Sequence, residues 1–128
     1  MSAVSPAGAA AVASPGAGLR ALIDAPEILV APGAYDAITA RVIEQAGFPA
    51  VYMTGAGTVN AHLGVPDIAL GSLTEFVENA ARIADAVNVP VFCDADTGFG
   101  NATGVLRAVR SFERAGVCLL YTSPSPRD

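Results

Sequence analysis

The sequence predicts an α/β fold built around a parallel β-sheet. Three short and almost wholly apolar segments, residues 28–31, 50–54 and 89–94, are each followed by a pattern typical of a helix. Strands without polar positions are buried on both faces, which is typical of parallel sheets covered by helices. A fourth strand is expected near Val117. The architecture is therefore either an open doubly wound sheet or the first part of a (β/α)8 barrel, which needs about 250 residues.

Helices are predicted by apolar residues that recur every three or four positions. The segments with this pattern are residues 19–24, 35–46, 73–87 and 101–115. Ser72 and Glu75 form a capping box at the start of the third segment. In the last segment we expect the apolar stripe to face the core, and its members are Val105, Leu106, Val109 and Phe112.

The connection after the second strand is long for an α/β domain. Residues 58–71 show little periodicity and contain Gly64, Pro66 and Gly71. Long connections without secondary structure are uncommon in compact domains and are usually functional. We therefore expect a functional loop between the second strand and the helix that begins near Ser72.

The composition limits the classes of partner. The formal net charge is -5 and no basic cluster is interleaved with aromatic residues, which argues against nucleic acid and anionic membranes as partners. No apolar run approaches the ~20 residues of a membrane span. Cys93 and Cys118 give no disulfide framework, and we expect Cys93 to be a buried free thiol in a cytoplasmic protein.

The chain divides into three regions. Residues 1–16 are mainly Ala, Ser, Pro and Gly without charge, and we expect a disordered tail there. Residues 17–117 form the folded domain. Residues 118–128 read CLLYTSPSPRD and resemble the in-frame translation of a transposon-end sequencing adapter. We therefore expect that the natural protein continues beyond Val117, and that this N-terminal fragment is inactive by itself.

Three predicted strand ends, residues 32–36, 52–57 and 94–101, carry polar or glycine-rich residues. The carboxyl ends of parallel strands lie at one face of the fold, where α/β proteins bind ligands. After the second strand, small residues leave backbone N–H groups open to a carboxylate or phosphate, and Thr54 adds a hydroxyl. A tight turn is the alternative interpretation of this glycine-rich segment.

Asp94 and Asp96 are the strongest candidates for a metal site. Side chains alternate along a strand, so the two carboxylates point the same way, about 7 Å apart. Like charges held this close require a cation, a proton or water between them. Carboxylate ligands favour Mg2+ or Mn2+, and Asp67 is a candidate for a further ligand from the long loop. A turn-capping aspartate and a solvated loop charge are the alternatives.

Four segments of the chain together resemble a known family. In order, they read APGAYDAITARVIEQAGF, VYMTGAGT, LGVPD and DADTGFGN. The combination is similar to the isocitrate lyase and phosphoenolpyruvate mutase superfamily. Within it, the resemblance is greatest to the branch of 2-methylisocitrate lyase, oxaloacetate decarboxylase and carboxyphosphonoenolpyruvate phosphonomutase. It implies the N-terminal part of a (β/α)8 TIM barrel, about three βα units plus a leading helix.

The resemblance also implies roles for individual residues. Asp94 and Asp96 match the metal-site aspartates, and Asp67 matches an acidic residue that acts on the metal through water. The implied cofactor is Mg2+ or Mn2+. The segment that holds the substrate carboxylate is matched by Tyr52, Thr54, Gly55 and Ala56. The catalytic residues are unknown, because the family's proton-donating cysteine loop is expected beyond Val117.

Together with these residues, the resemblance implies a Mg2+-dependent carbon–carbon bond lyase that acts on small 2-oxo-acid-derived substrates through a metal-stabilised enolate. The resemblance implies that the full-length parent is a homo-oligomer. A phosphonomutase and an oxaloacetate decarboxylase on the same scaffold are the alternative enzymes. A non-catalytic anion-binding α/β module is the alternative of another class, and the three aspartates argue against it.

Overall fold

A computed structural model of the chain describes residues 15–66, 72–94 and 102–121. In chain order the elements are α1 Pro15–Asp24, β1 Gly33–Ala34, α2 Ala37–Gln45, β2 Val51–Met53, α3 Gly55–Leu63, α4 Leu73–Ala86, β3 Val91–Asp94, α5 Ala102–Arg114 and β4 Leu119–Tyr121. The four strands pair in parallel in the order β1-β2-β3-β4. The predicted α/β class and parallel sheet are confirmed, and the strand–helix alternation is that of the first part of a (β/α)8 barrel.

The two faces of the sheet differ in burial. The face covered by helices carries the buried side chains of Val51, Met53, Val91 and Cys93. Tyr52 and Phe92 are partners in the register of β2 with β3, and their side chains are half-buried on the opposite face. Asp94 follows Phe92 by two residues and therefore shares this face, at the carboxyl edge of the sheet.

Helix α4 supplies much of the core. Its buried stripe and the residue that follows the helix consist of Phe76, Ala80, Ile83 and Val87. This stripe was predicted for residues 73–87 and is confirmed. Phe112 of α5 is fully buried in the same cluster, and burial of such a side chain stabilises the fold by about 1.5–3 kcal/mol.

Capping side chains fix where the helices begin and end. At α4, Ser72 Oγ accepts from Glu75 N at 3.2 Å and Glu75 Oε1 accepts from Ser72 N at 2.8 Å, which confirms the predicted capping box. The hydrogen bond from the Ser72 N–H holds the pKa of Glu75 below its ordinary value of 4.5. The stabilisation by this ionised cap is therefore present above about pH 4.5 and is lost as the pH falls through the lowered pKa.

The first strand lies later than the sequence predicts. A strand over residues 28–31 was expected, but Ile28 is 88% exposed and β1 begins only at Gly33, so that prediction is wrong. Pairing with β2 starts at the carbonyl of Pro32, which accepts from Tyr52 N at 3.1 Å. Residues 28–31 pair with no strand among the described residues. Their apolar composition alone therefore predicts a strand that is not formed there.

The expected loop at residues 58–71 is largely wrong within its described part. Helix α3 runs from Gly55 to Leu63, and Gly64 ends it with a left-handed φ of 66°. The helix is hard to recognise because its first turn is Gly-Ala-Gly, which has low helix propensity and no apolar stripe. Residues 67–71 lie outside the described residues.

Helix α5 is rotated relative to the expected orientation. Phe112 is buried as predicted, but Leu106 and Val109 are 61% and 45% exposed, so the expectation that both face the core is wrong. The buried stripe instead contains Ala108 and Phe112, which are four residues apart on one side of the helix. Leu106 and Val109 lie on a neighbouring side of α5, and their apolar surface does not pack against the described core.

The ends of the described fold differ slightly from the expected boundaries. Helix α1 begins at Pro15, inside the segment predicted to be a disordered tail. β4 lies just beyond Val117, where a fourth strand was expected, and pairs with β3 through Phe92 and Leu119. β4 therefore includes residues of the tail that resembles an adapter sequence. Among the described residues, no helix has the length and apolarity needed to cross a membrane.

Apolar surface on two helices leads to a first prediction. Leu106 and Val109 on α5, like Ile38 and Val42 on α2, are exposed, and contiguous apolar surface favours association. We expect the 128-residue chain to self-associate when it is produced alone. A Leu106→Lys/Val109→Lys variant should raise the half-association concentration at least about tenfold in sedimentation velocity experiments.

The exposed Arg110→Lys substitution on the same helix is the matched control for this experiment, and it should leave association unchanged. A monomeric parent chain that unfolds cooperatively at micromolar concentration would contradict the expectation.

Candidate functional site

The carboxyl ends of β1, β2 and β3 converge on the N-terminus of α3. The N–H of Thr54, the residue after β2, donates to the carbonyl of Ala34 at the end of β1, at 3.1 Å. Asp94 ends β3, the strand on the other side of β2. The predicted meeting of strand ends is therefore present for these three residues, and the start of α3 lies among them.

Thr54 is the N-cap of α3. Its backbone is extended (φ -77°, ψ 131°), and its Oγ1 accepts from Gly57 N at 3.2 Å. The first N–H groups of a helix have no partner within the helix, and the aligned peptide dipoles make this end partly positive. Gly55 and Ala56 place their N–H groups in the first turn of α3, and neither has a bulky side chain. The segment predicted to hold a carboxylate thus has the backbone arrangement of an anion-binding helix N-terminus.

The side chain of Asp94 lies against the first residue of α3. A Cβ atom placed on Gly55 would lie 2.6 Å from Asp94 Oδ2 and 3.0 Å from its Cγ, far inside van der Waals contact. Only glycine allows the half-buried carboxylate to approach the helix this closely. The partly positive helix end stabilises the negative charge of Asp94 at this position.

A second glycine of the turn is restricted in the same way. A Cβ on Gly57 would lie 2.5 Å from Thr54 Cγ2 and 3.2 Å from Tyr35 Cβ. The N-terminus of α3 therefore packs tightly against its own cap and against the segment that follows β1. Glycine at positions 55 and 57 fixes where the backbone N–H groups lie.

A buried hydrogen-bond network connects this turn to α4. Asn79 of α4 and Thr58 of α3 are each 1% exposed. Asn79 Nδ2 donates to Tyr35 O at 3.0 Å and to Thr58 Oγ1 at 3.1 Å, and Thr58 Oγ1 donates to Thr54 O at 2.7 Å. Neither residue was among the predicted site residues. The available signal was a polar residue, Asn79, on the apolar stripe of α4 between Phe76 and Ile83.

Aromatic and sulfur side chains form the surroundings of Asp94. The rings of Tyr52 and Phe92 lie 5.2 Å apart between centroids at 44°, on the same face as Asp94. Cys93 is fully buried on the opposite face, as predicted, with its Sγ 4.0 Å from Met53 Sδ. Burial raises the pKa of the Cys93 thiol, so this cysteine stays protonated and unreactive at neutral pH.

The structure thus brings together five of the predicted site residues, namely Tyr52, Thr54, Gly55, Ala56 and Asp94. Asp67 and Asp96 lie outside the described residues, and within the described part of the chain no three His, Cys, Asp or Glu side chains are grouped so that they could hold a metal ion. His62 is exposed, and its Nε2 lies 3.4 Å from Tyr35 O, next to the network. The roles of all these residues in metal or substrate binding stay predictions.

The described residues fit a divalent cation at this edge of the sheet. Asp94 offers carboxylate oxygens of the kind that Mg2+ prefers, and glycine at position 55 lets this carboxylate lie against the start of α3. Mg2+ usually takes only one or two protein carboxylates and keeps several waters. Asp94 together with Asp96 or Asp67 would supply enough carboxylate ligands for Mg2+.

Fold and site define an α/β protein with a carboxylate and a helix N-terminus together at the carboxyl edge of a parallel sheet. Comparison with known proteins gives the family. The family model described as phosphoenolpyruvate phosphomutase matches residues 19–120, and the chain belongs to this family. The similarity stated from the sequence motifs is thereby confirmed.

The curated relatives are lyases and related enzymes. 2,3-Dimethylmalate lyase of Eubacterium barkeri is 53% identical over 102 residues, which cover 80% of this chain and 35% of the relative. 2-Methylisocitrate lyase of Aeropyrum pernix is 44% identical over 106 residues, covering 83% of this chain and 34% of the relative. Other relatives are named isocitrate lyase and oxaloacetate decarboxylase. The chain spans about a third of the length of these relatives.

Solved structures share the fold. Oxaloacetate acetylhydrolase, in complex with its product oxalate, is 40% identical with a TM-score of 0.79, over 84% of this chain and 38% of that protein. Phosphonopyruvate hydrolase, in complex with oxalate and Mg2+, is 33% identical with a TM-score of 0.78, over 84% of this chain and 38% of that protein. Another neighbour is a 2,3-dimethylmalate lyase described as a PEP mutase/isocitrate lyase superfamily member.

The contact between Gly55 and Asp94 gives a second prediction. In the full-length protein that contains this segment, Gly55→Ala should push the Asp94 carboxylate from its place because the new methyl group overlaps Oδ2. We expect the affinity for Mn2+, measured by isothermal titration calorimetry, to fall roughly 10- to 100-fold.

Gly18→Ala is the matched control for Gly55→Ala, because a Cβ at this helical position meets only Pro90 Cγ at 3.6 Å. It should leave the Mn2+ affinity unchanged. Equal Mn2+ affinity in the Gly55→Ala variant and the parent would show that Asp94 is not a ligand.

Proposed function

We propose that the full-length protein is a Mg2+-dependent carbon–carbon bond lyase that acts on small 2-oxo-acid-derived substrates. One observation carries the proposal: the Asp94 carboxylate lies at the same helix N-terminus that offers N–H groups to an anion. Relatives named as lyases of 2,3-dimethylmalate and 2-methylisocitrate support the reaction class. Because the segment spans a third of these relatives, the proposal concerns the whole protein and not the chain alone.

The charges at the site favour a requirement for a metal. A substrate carboxylate at the start of α3 lies close to the negative charge of Asp94, and two such charges about 4 Å apart repel by roughly 4 kcal/mol near a protein surface. A divalent cation between them reverses the sign of this interaction. The proposed ligands of the cation are Asp94, Asp96 and, through water, Asp67.

The proposed work of this chain's own residues is to bind the anion and stabilise charge. Gly55 and Ala56 bind the substrate carboxylate with backbone N–H groups, and Thr54 adds its hydroxyl. Tyr52 packs beside the bound acid and, with Phe92, provides an apolar surface that strengthens nearby electrostatic interactions. The positive end of α3 stabilises negative charge that develops on the substrate as the bond breaks.

When bound, the metal supplies Lewis-acid chemistry, worth several kcal/mol of charge stabilisation. Cys93 is not the proposed proton donor, because it is buried on the face of the sheet opposite Asp94, and the resemblance implies a proton-donating cysteine loop beyond Val117. We propose a cytoplasmic location and a homo-oligomeric parent, in line with the cysteine content and the resemblance respectively.

Two other reactions on the same site are the second candidates. Oxaloacetate decarboxylases occur among the relatives, and a phosphoenolpyruvate phosphomutase occurs among the solved neighbours. A substrate panel separates them: 2-methylisocitrate and 2,3-dimethylmalate for the lyase, oxaloacetate for the decarboxylase and a phosphonate substrate for the mutase. Turnover confined to oxaloacetate or to the phosphonate would replace the lyase proposal.

A third prediction tests the metal and the aspartate together. The full-length protein should bind oxalate only when Mg2+ is present, and EDTA should abolish turnover. Asp94→Asn should remove the enhancement of oxalate binding by Mg2+ and lower kcat/KM at least about 100-fold, because several kcal/mol of charge stabilisation are lost.

The matched control for Asp94→Asn is Asp85→Asn, which neutralises an exposed aspartate on the polar side of α4. It should retain full activity and metal dependence. Oxalate binding by the parent protein that is unaffected by EDTA would instead favour the non-catalytic anion-binding module.

A further inference from the structure

The amide of Asn79 connects two segments of the proposed site that are distant in sequence. The side chain lies on α4 and is 1% exposed. Its Nδ2 donates to the carbonyl of Tyr35, 44 residues away in sequence, and to the hydroxyl of Thr58, 21 residues away. These acceptors belong to the segment after β1 and to α3.

Thr58 extends this hydrogen-bond network to Thr54, the N-cap of α3. Because the Thr58 hydroxyl donates its one proton to Thr54 O at 2.7 Å, it accepts the hydrogen bond from Asn79 with a lone pair. The backbone N–H of Thr58 donates to the same carbonyl at 3.1 Å. The N-cap carbonyl is thus held by two donors, one of which is oriented by Asn79.

The chemistry of the two acceptors explains why the residue is an amide. An Asn NH2 group has two N–H donors, and here they serve two acceptors on different elements. A leucine of similar size would fit the stripe formed by Phe76, Ala80 and Ile83, but it would leave the Tyr35 carbonyl without its buried donor. The exposed His62 ring, 3.4 Å from the same carbonyl, is a poor substitute at this distance.

We propose that Asn79 is a positioning residue that fixes the segment after β1 and the N-terminus of α3 relative to each other, and so orients the N–H groups that bind the substrate carboxylate. The proposal rests on the function proposed above. Asn79 does not touch the substrate in this arrangement. Its effect reaches the site through Thr58 and Thr54, and small displacements of binding groups reduce catalysis strongly.

The experiment compares four variants of the full-length protein. Asn79→Leu removes both donors at similar volume, and Thr58→Val removes the hydroxyl while keeping the shape. Thr58→Ser retains the hydroxyl and is the conservative rescue. Glu78→Gln changes an exposed residue next to Asn79 on the same helix and is the matched control.

Two measurements are made on each variant. Hydrogen–deuterium exchange with mass spectrometry follows the amides of residues 33–39 and 54–58. Calorimetry gives the affinity for Mg2+ and, at saturating Mg2+, the affinity for oxalate. We expect faster exchange in both segments and roughly tenfold weaker oxalate binding for Asn79→Leu and Thr58→Val, with the Mg2+ affinity unchanged. Thr58→Ser and Glu78→Gln should match the parent.

Three results would overturn the proposal. One is exchange that rises uniformly along the chain while oxalate affinity stays constant, which indicates a purely structural role. Another is normal exchange at residues 54–58 in Asn79→Leu, and a third is loss of oxalate affinity in Thr58→Ser equal to that in Thr58→Val. If Asn79→Leu does not fold, the two Thr58 variants decide the question.

The same measurements distinguish a failure of the proposed function from a failure of the Asn79 proposal. A parent protein that binds neither Mg2+ nor oxalate would refute the lyase proposal. The exchange of residues 33–39 and 54–58 in the same variants would still decide whether Asn79 orders the two segments.

Discussion

The close packing of the α3 N-terminus against the strand ends is the constraint on which the site depends. It is possible because Gly55 and Gly57 have no side chains where a Cβ would overlap Asp94 and Thr54. This packing places a carboxylate beside the N-terminus of a helix. Under the proposed function a cation would join the Asp94 carboxylate to an anion bound at the start of α3, so the glycines at positions 55 and 57 determine how close these groups lie.

Support for this arrangement comes from the helical layer as well as from the sheet. The sheet aligns β1, β2 and β3 through backbone pairing, but the segments after the strands need other partners. The Asn79 amide supplies them for Tyr35 and, through Thr58, for Thr54. Hydrogen bonds in a buried site are strong because water does not compete for their donors and acceptors. The layer that forms the core therefore also fixes the shape of the binding edge.

The sequence predicted what depends on local patterns. The apolar runs of β2 and β3 and the capping box at Ser72 and Glu75 follow from neighbouring residues. The convergence of Thr54 with Asp94 follows from the parallel arrangement of the strands that these runs predict. Helix α3 could not be recognised because its Gly-Ala-Gly start resembles a turn, and its cap is effective only when packed. The burial of Asn79 could be read from its position on the predicted stripe of α4, whereas the exposure of Leu106 depends on how α5 rotates against the sheet, which periodicity leaves open.

The first turn of α3 also limits how substitutions can change the substrate selectivity of the proposed site. Positions 55 and 57 are sterically closed, because any side chain there displaces Asp94 or the N-cap. Ala56, between them, already carries a methyl group and is only half-buried. Among positions 55 to 57, Ala56 is therefore the one at which substitutions are tolerated, in evolution or in a mutant library. Larger changes in substrate selectivity must come from the surrounding loops.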